Sequence, residues 1–459
     1  MIQSIAYKSI PVKNASLRFV KHAARRAVIH IGIDIGKNKL LIVARWMPSR
    51  TKQVVYENPW LVKNPDEIPE LIRKLRSMSK QNKILIGMES TGTYGDPLRQ
   101  ALADAGFTVH QLRAKLTHDY AEIFDGVPSQ HDGKDAAAIA ELLAQGKSTP
   151  WPFSVPTEIE AEMKYLVTQL INSGQVNIRL LGKIEGLVAR YWPELPKNMQ
   201  VSSKTSLKLL KRYGGPAAFC ADQEAETVIC RFSNWQFNQE KSQKIVDGAK
   251  KSNGVRQTAW DVQYVKEIAT KMLNEHQLVA KCKKRLKELI DASCNELQRL
   301  AKILGVGTAS VVWCNVGDPR RYHCADAWIK AMGLNLTERS SGEYQSEMRI
   351  SKRGDSETRR WLYMTVLRWT QKEPVKQWYL RKKLRTGKKI PSQENKCTGG
   401  KAVVAVMRKL MKGIYHALVH DVPFDPNALF FMESSPKKDA VAMSRYISKR
   451  KRRKTRPKQ

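Results

Sequence analysis

The sequence predicts an α/β N-terminal domain, a long helical coiled-coil connector and a mainly α-helical C-terminal domain. Three observations carry this expectation. Apolar, β-branched runs alternate with helical periodicity from residue 28 to about residue 145. Two later stretches repeat apolar residues on a seven-residue grid. Beyond residue 301, helical stretches are broken by glycine-marked polar loops.

Residues 28–34, 39–46 and 52–57 read as three successive strands with short connections. A helix over 66–79 leads to a strand at 83–88, a helix at 95–106 and a strand at 107–112. Helices at 115–124 and 132–145 complete the set. Three strands followed by alternating helix and strand is the order of an RNase H-like (RuvC-like) nuclease domain. The 55 residues from Asp34 to Glu89 leave room for two strands, a helix and a fourth strand.

Four acidic residues sit where such a fold would place a reaction centre. Asp34 closes the run Val-Ile-His-Ile-Gly-Ile-Asp, and Glu89 closes Ile-Leu-Ile-Gly-Met-Glu. Asp132 and Asp135 stand three apart at the start of an alanine-rich helical stretch, so they share one face. Carboxylates brought from two strand ends and one helix are a means of holding two divalent metals for phosphodiester chemistry. Without cations, four such groups would repel one another.

Charge points to a polyanionic partner. The chain has 80 Lys and Arg against 43 Asp and Glu, a net +37. Of that total, residues 28–150 carry only +2, residues 1–27 carry +6, and residues 151–459 carry the remaining +29. Catalysis and most of the nucleic-acid grip are therefore expected in different regions. No apolar run approaches a membrane span, and Lys8, Lys13, Arg18 and Lys21 interrupt the N-terminus where a signal peptide would be apolar. Seven cysteines, without a Cys-x-x-Cys pair, favour reduced thiols in a cytoplasmic protein over a zinc site.

In the connector, Ile159, Leu166, Leu180 and Leu187 fall on one heptad grid, and Met163, Leu170, Ile184 and Tyr191 on a second. Val265, Met272, Val279 and Leu286 repeat the pattern later. Ser173, Asn177, Glu275 and Cys282 interrupt these seams. Residues 193–258 form an insertion between the two runs. Further on, Gly305 and Gly307 lie between helical stretches and resemble a helix-hairpin-helix turn able to hold a DNA phosphate. Ser340 and Ser341 precede Gly342 in a loop set among Arg339, Arg349, Lys352, Arg353, Arg359 and Arg360. The last ten residues but one, 449–458, hold eight basic residues.

Taken in order, these motifs resemble the DEDD transposases of the IS110 family, the bridge-RNA-guided recombinases related to Piv-type DNA invertases. The matching pieces are Ile-Gly-Ile-Asp34, Met-Glu89-Ser-Thr-Gly, Asp132-Gly-Lys-Asp135, Leu-Gly-Val-Gly307, Gly333-Leu, Ser-Ser341-Gly342 and Ile-Ser-Lys-Arg-Gly354. The resemblance implies that Asp34, Glu89, Asp132 and Asp135 bind Mg²⁺ or Mn²⁺, and that Ser341 forms a phosphoserine link to cleaved DNA. It also implies DNA ends and a target as partners, a structured guide RNA, and a dimer or tetramer whose active sites combine domains of different subunits. Gln130 and His131 depart from the residues usual before the third acid. The expected division is a basic extension at 1–27, the nuclease domain at 28–150, the connector at 151–300, the serine domain at 301–420 and a basic tail at 421–459. An RNA-independent invertase or junction-resolving nuclease of the same fold is the alternative, and a non-catalytic nucleic-acid-binding protein the alternative of another class.

Overall fold

The computed structural model describes residues 28–47, 53–57, 59–80, 83–90, 92–125, 132–337, 340–341, 344–345, 349–385 and 399–431. The chain divides into two compact units, 1–155 and 156–459. The first is built on a mixed seven-stranded sheet; the second is helical apart from two short strand pairs.

In the first unit, β1 (Val28–Ile35) pairs antiparallel with β2 (Lys39–Trp46), which pairs antiparallel with both β3 (Val55–Tyr56) and β4 (Trp60–Lys63). On its other side β1 runs parallel to β5 (Lys83–Glu89), and β5 runs parallel to β6 (Val109–Leu112). β7 (Thr149–Pro150) closes that edge antiparallel to β6. Helices α1 (Ile68–Ser79), α2 (Asp96–Asp104), α3 (Ala114–Asp125) and α4 (Asp132–Ala144) connect and cover the strands. The antiparallel meander followed by parallel strands agrees with the order expected from the sequence.

Side-chain alternation sorts the sheet into two faces. Ile29, Ile31, Ile33 and Ile35 pack with Leu71 and Leu75 of α1 and Leu98 and Leu102 of α2. The even positions of β1 face the opposite layer, where α4 lies across β1, β2 and β5. Two strands escape the sequence reading. β4 is a four-residue run between Asn-Pro pairs, which read as loop punctuation, yet it gains a full pairing with β2. β7 contains Pro150, and its two residues just before the proline-marked stretch at 151–156 carry no strand signal of their own, whereas the two units divide within that stretch. The first unit continues past β7, because the Arg99 guanidinium stacks on Trp151 with 3.5 Å to the ring centroid.

The second unit starts with α5 (Glu158–Tyr191), whose capping box joins Thr157 and Glu160. Helices α6 (Leu195–Asn198), α7 (Lys204–Tyr213), α8 (Pro216–Ala221), α9 (Ala225–Phe232) and α10 (Gln239–Lys250) follow. The 33-residue α11 (Ala259–Asp291) opens on a second capping box, Thr258 with Asp261. Glu162 meets Arg285, Ser173 meets Glu275 and Tyr191 meets Asp261, so α5 and α11 run antiparallel. Met163, Leu170, Ile184 and Tyr191 are buried, whereas Ile159 of the other grid is 50% exposed. The buried stripe instead recruits Val167 and Val188, four residues on from Met163 and Ile184. Helices α6 to α10, the region that read only as an insertion, cap one end of this pair around Trp192, Tyr213 and Phe219.

A separate core forms from α12 (Asn295–Leu304), α13 (Val306–Asn315), α14 (Ala325–Ala331), α15 (Ser356–Trp369), α16 (Val375–Arg385) and α17 (Gly400–Val419). Asp355 rather than Ser356 is the N-cap of α15, accepting from Thr358 N–H at 2.5 Å. Residues 421–431, read as the start of the tail, pack instead onto this core. α18 (Pro426–Leu429) sets Leu429 against Gly413, and Phe430 is buried edge-on to Trp378 with 5.6 Å between centroids. Residues 1–27 and the basic run at 449–458 lie outside the described residues. No helix among the described residues is long and apolar enough to cross a membrane.

Candidate active site

The parallel pairing of β1 with β5 runs at a constant offset, Gly32 beside Gly87 and Ile33 beside Met88. Asp34 and Glu89 directly follow this last pair, both on the face that α4 crosses. Each acid is preceded two residues earlier by a glycine, and the two glycines open the space that α4 occupies. A Cβ on Gly32 would stand 2.0 Å from the Ala136 carbonyl oxygen and 2.6 Å from the Ala140 nitrogen. One on Gly87 would meet Leu112, Leu143 and Ile139 at 2.8, 3.2 and 3.3 Å. The helix thus lies almost on the backbone, and its first turn delivers Asp132 and Asp135 towards the strand ends.

The four acids influence one another electrostatically. Burial pushes the Asp34 carboxyl up to about 7, with Asp135, Asp132 and Glu89 adding repulsion in that order. Burial also raises Glu89; the nearby Thr117 hydroxyl on α3 partly offsets this, while Asp135 adds to it. Lys39, just across the β1–β2 turn, pairs with Asp132, which raises the lysine in turn. Asn64 fastens the loops beyond both strands, donating to the Gly36 carbonyl at 3.0 Å and the Tyr94 carbonyl at 3.1 Å. Lys39, Thr117 and Asn64 escape the sequence reading because only the fold brings them to the acids. The two glycines were legible in the repeated Gly-x-acid pattern, though not their steric purpose.

The second unit holds the other expected groups. β8 (Leu336–Thr337) pairs with β11 (Arg349–Ile350), and between them β9 (Ser340–Ser341) pairs with β10 (Tyr344–Gln345). Ser341 is therefore carried on a β-hairpin opposite Tyr344. Its side chain, that of Ser340, and Arg339 and Gly342 lie outside the described residues. The hairpin base is fastened by Arg359, which donates to the carbonyls of Met332, Gly354 and Asp355.

The expected phosphate contacts divide into two groups. Arg349, Lys352 and Arg353 are exposed. Arg359 donates through Nη1 at the hairpin base, and Arg360 pairs with Glu357 at 2.7 Å, so both also have structural contacts. Gly307 is also structural: it is buried, and a Cβ there would stand 3.0 Å from the Trp361 ring. Gly305 remains exposed at the joint, with φ +82° between α12 and α13. It borders a cavity of about 490 Å³ whose cations, Lys302, Arg368 and Lys372, have no individual sequence signal.

Comparison with known families bears on both units. A DEDD transposase model of the IS110 type matches residues 31–193, and the transposase model of the IS116/IS110/IS902 family matches residues 297–381. Together they span more than half of the chain.

The chain belongs to the IS110 family of DEDD transposases. The first match contains all four acids, and the second contains the Ser341 hairpin and the surrounding basic residues. No curated protein sequence matches the chain. Among solved structures, the chain is similar to T. thermophilus RuvC in complex with a Holliday junction substrate. That match has 14% identity, covers 28% of this chain and 99% of that one, and has a TM-score of 0.21.

Whether these four acids suit a metal turns on their donors. Four carboxylates are hard oxygen donors of the kind that hold Mg²⁺, and the repulsion felt at Asp34 is what a cation would relieve. Among the described residues no three His, Cys, Asp or Glu side chains are gathered closely enough to form a ligand set. The donor chemistry fits, and Lys39 pairs with one of the four acids.

The helix that brings Asp132 and Asp135 is held in register by its other end. Arg45 Nε on β2 donates to Glu141 at 2.5 Å, and the Tyr56 hydroxyl donates to the same oxygen at 2.5 Å. Burial pushes Glu141 upward, but the bonds from Arg45, Tyr56 and Gln145 outweigh it and hold the carboxyl below its usual range. Arg45→Ala leaves this half-buried carboxylate without its cation. The expected cost is about 2–3 kcal/mol, somewhat below the cost of breaking a fully buried pair. Because the folded pKa is depressed, the contribution is present above the unfolded pKa and is lost as pH falls through the carboxylate range. Urea melts at pH 7 and at progressively lower pH check this: the variant should differ from the parent at pH 7, and the difference should shrink as pH falls. An unchanged midpoint at pH 7 would show that the pair does not hold α4.

Proposed function

We propose that the protein catalyses metal-dependent cleavage and exchange of DNA strands for excision and insertion of a mobile element, directed by a structured guide RNA. The observation that carries the reading is the convergence of Asp34 and Glu89 from adjacent parallel strand ends with Asp132 and Asp135 from α4. Family membership supports a DNA-acting transposase, and the +29 borne by residues 151–459 supports an extended nucleic-acid partner. The coiled-coil role of α5 and α11, the division of the chain with residues 421–431 joined to the serine domain, and assembly into a dimer or tetramer belong to the same proposal.

Asp34, Glu89, Asp132 and Asp135 would hold Mg²⁺ or Mn²⁺. When bound, these ions polarise a phosphodiester and stabilise the charge that develops on it. The protein's own part is to orient the acids: the strand register fixes Asp34 and Glu89, Thr117 and Asn64 support their surroundings, and α4 carries the other two. Ser341 is proposed as the nucleophile. Its Oγ attacks phosphorus and the bond to one deoxyribose oxygen breaks, so the phosphodiester passes to serine and joining needs no external energy source. Exposed Arg349, Lys352 and Arg353 offer charge to that phosphate.

The test is the covalent intermediate. Incubated with Mg²⁺ and DNA bearing the element's ends, the parent protein should give a protein–DNA band that survives denaturing electrophoresis. Ser341→Ala should eliminate that band, while Ser340→Ala should leave some. An adduct that persists in Ser341→Ala would place the nucleophile elsewhere.

A further inference from the structure

The helical cap formed by α6 to α10 contains a cleft that the proposed chemistry does not use. It lies between α7, α9 and α11 and encloses about 410 Å³, room for one nucleotide but too little for a duplex. Lys208, Lys211 and Arg212 of α7 line one side, and Asn274 and Gln277 of α11 line the other. Phe232 of α9 also lines it, with the Lys208 ammonium 5.6 Å from its ring centroid.

Each part has a chemical use. Lys204, Lys208 and Lys211 recur at i, i+4 and i+7, so they make a basic stripe along one face of α7. Arg212 is paired with Asp222 at 3.1 Å, whereas Lys208 and Lys211 have no carboxylate partner among the described residues. The positive field reaches α11, where burial and the Lys204 ammonium together hold His276 below its ordinary value. Asn274 and Gln277 are exposed, three residues apart on one helix face, and their amides offer both donors and acceptors to a base edge. Paired cations beside an aromatic face and two free amides are the elements of single-strand recognition: phosphate, stacking and edge.

We infer that this cleft binds an unpaired nucleotide of structured RNA, with Lys208 and Lys211 on its phosphates, Phe232 against the base and Asn274 and Gln277 on the base edge. The inference rests on the guided reading above. The DNA partners of that reading are duplexes, whereas structured RNA presents unpaired bases in loops and bulges.

The experiment uses the full chain and four probes: an RNA hairpin with an eight-nucleotide loop carrying 4-thiouridine, a blunt RNA duplex of the same length, a DNA hairpin of the same sequence and a blunt DNA duplex. Photocrosslinks of the RNA hairpin should map to α7, Phe232 or residues 273–277. Lys208→Ala with Lys211→Ala should weaken hairpin binding about tenfold and reduce its salt slope by about 1.4, the value for two lost single-strand phosphate contacts. Asn274→Ala with Gln277→Ala should weaken the hairpin and spare the duplex, and its exposed positions guard against a folding defect. Hairpin crosslinks that fall only elsewhere would overturn the cleft while leaving guidance intact. A DNA hairpin bound and crosslinked as well as the RNA would overturn the choice of RNA. A protein that binds structured RNA no better than duplex DNA would overturn the guided reading itself.

Discussion

Asp34→Ala and Glu89→Ala should each lower the rate of Mg²⁺-dependent DNA cleavage by about a thousandfold or more, while the protein stays folded and continues to bind nucleic acid. The magnitude corresponds to about 4 kcal/mol of lost transition-state stabilisation, within what a metal-held phosphodiester is expected to draw from its ligands. Folding should survive because each of these carboxylates sits among like charges; removing one relieves repulsion and leaves a small space at a strand end. Binding should survive because the first unit's sequence from 28 to 150 contributes only +2 of the +37. Cleavage assays on a labelled duplex, thermal melts and filter binding separate the three effects. Undiminished cleavage by both variants would remove the quartet from the chemistry. A fall of several degrees in Tm would instead assign the lost activity to unfolding.

The quartet was legible because its two kinds of signal are local. A β-branched run that ends in an acid, and two acids three apart at a helix start, can be read without knowing what lies opposite. The strand order was legible for the same reason, since β1, β2 and β5 are long enough for their composition to show. β4 was not, because four residues between Asn-Pro pairs carry no periodicity, and their strand character comes from pairing with β2. Partners distant in sequence were equally hidden: Lys39 meets Asp132 across 93 positions, and Arg45 meets Glu141 across 96. In the second unit the heptad grids correctly announced two long helices but did not say which grid was buried. The cluster of arginines was visible, yet only the fold shows that Arg359 and Arg360 also make contacts within the protein.

The glycines at 32 and 87 make the sharpest link between packing and chemistry. Gly32→Ala adds one methyl group to a position where the atoms ahead of it are the backbone of α4, not the end of a flexible side chain. No rotamer change can make room, so the helix must lift from β1 or the strand must bend. Overpacking against an unyielding neighbour costs about 3 kcal/mol, which for a unit of this size is roughly 6–12 °C in Tm. Because α4 carries Asp132 and Asp135 in its first turn, the same lift separates them from Asp34 and Glu89, and cleavage should fall more steeply than stability. Gly182→Ala is the matched control. It lies exposed within α5 with nothing within 4 Å of the added carbon, so it should leave cleavage unchanged and Tm unchanged or slightly raised by the gain in helix propensity. Conservative suppression separates geometry from bulk stability: glycerol or a lower assay temperature can refold a destabilised Gly32→Ala chain, yet cleavage should stay depressed because the helix remains displaced. A Gly32→Ala protein that melts and cleaves like the parent would mean that α4 does not rest on β1, and that the four acids are not brought together in this way.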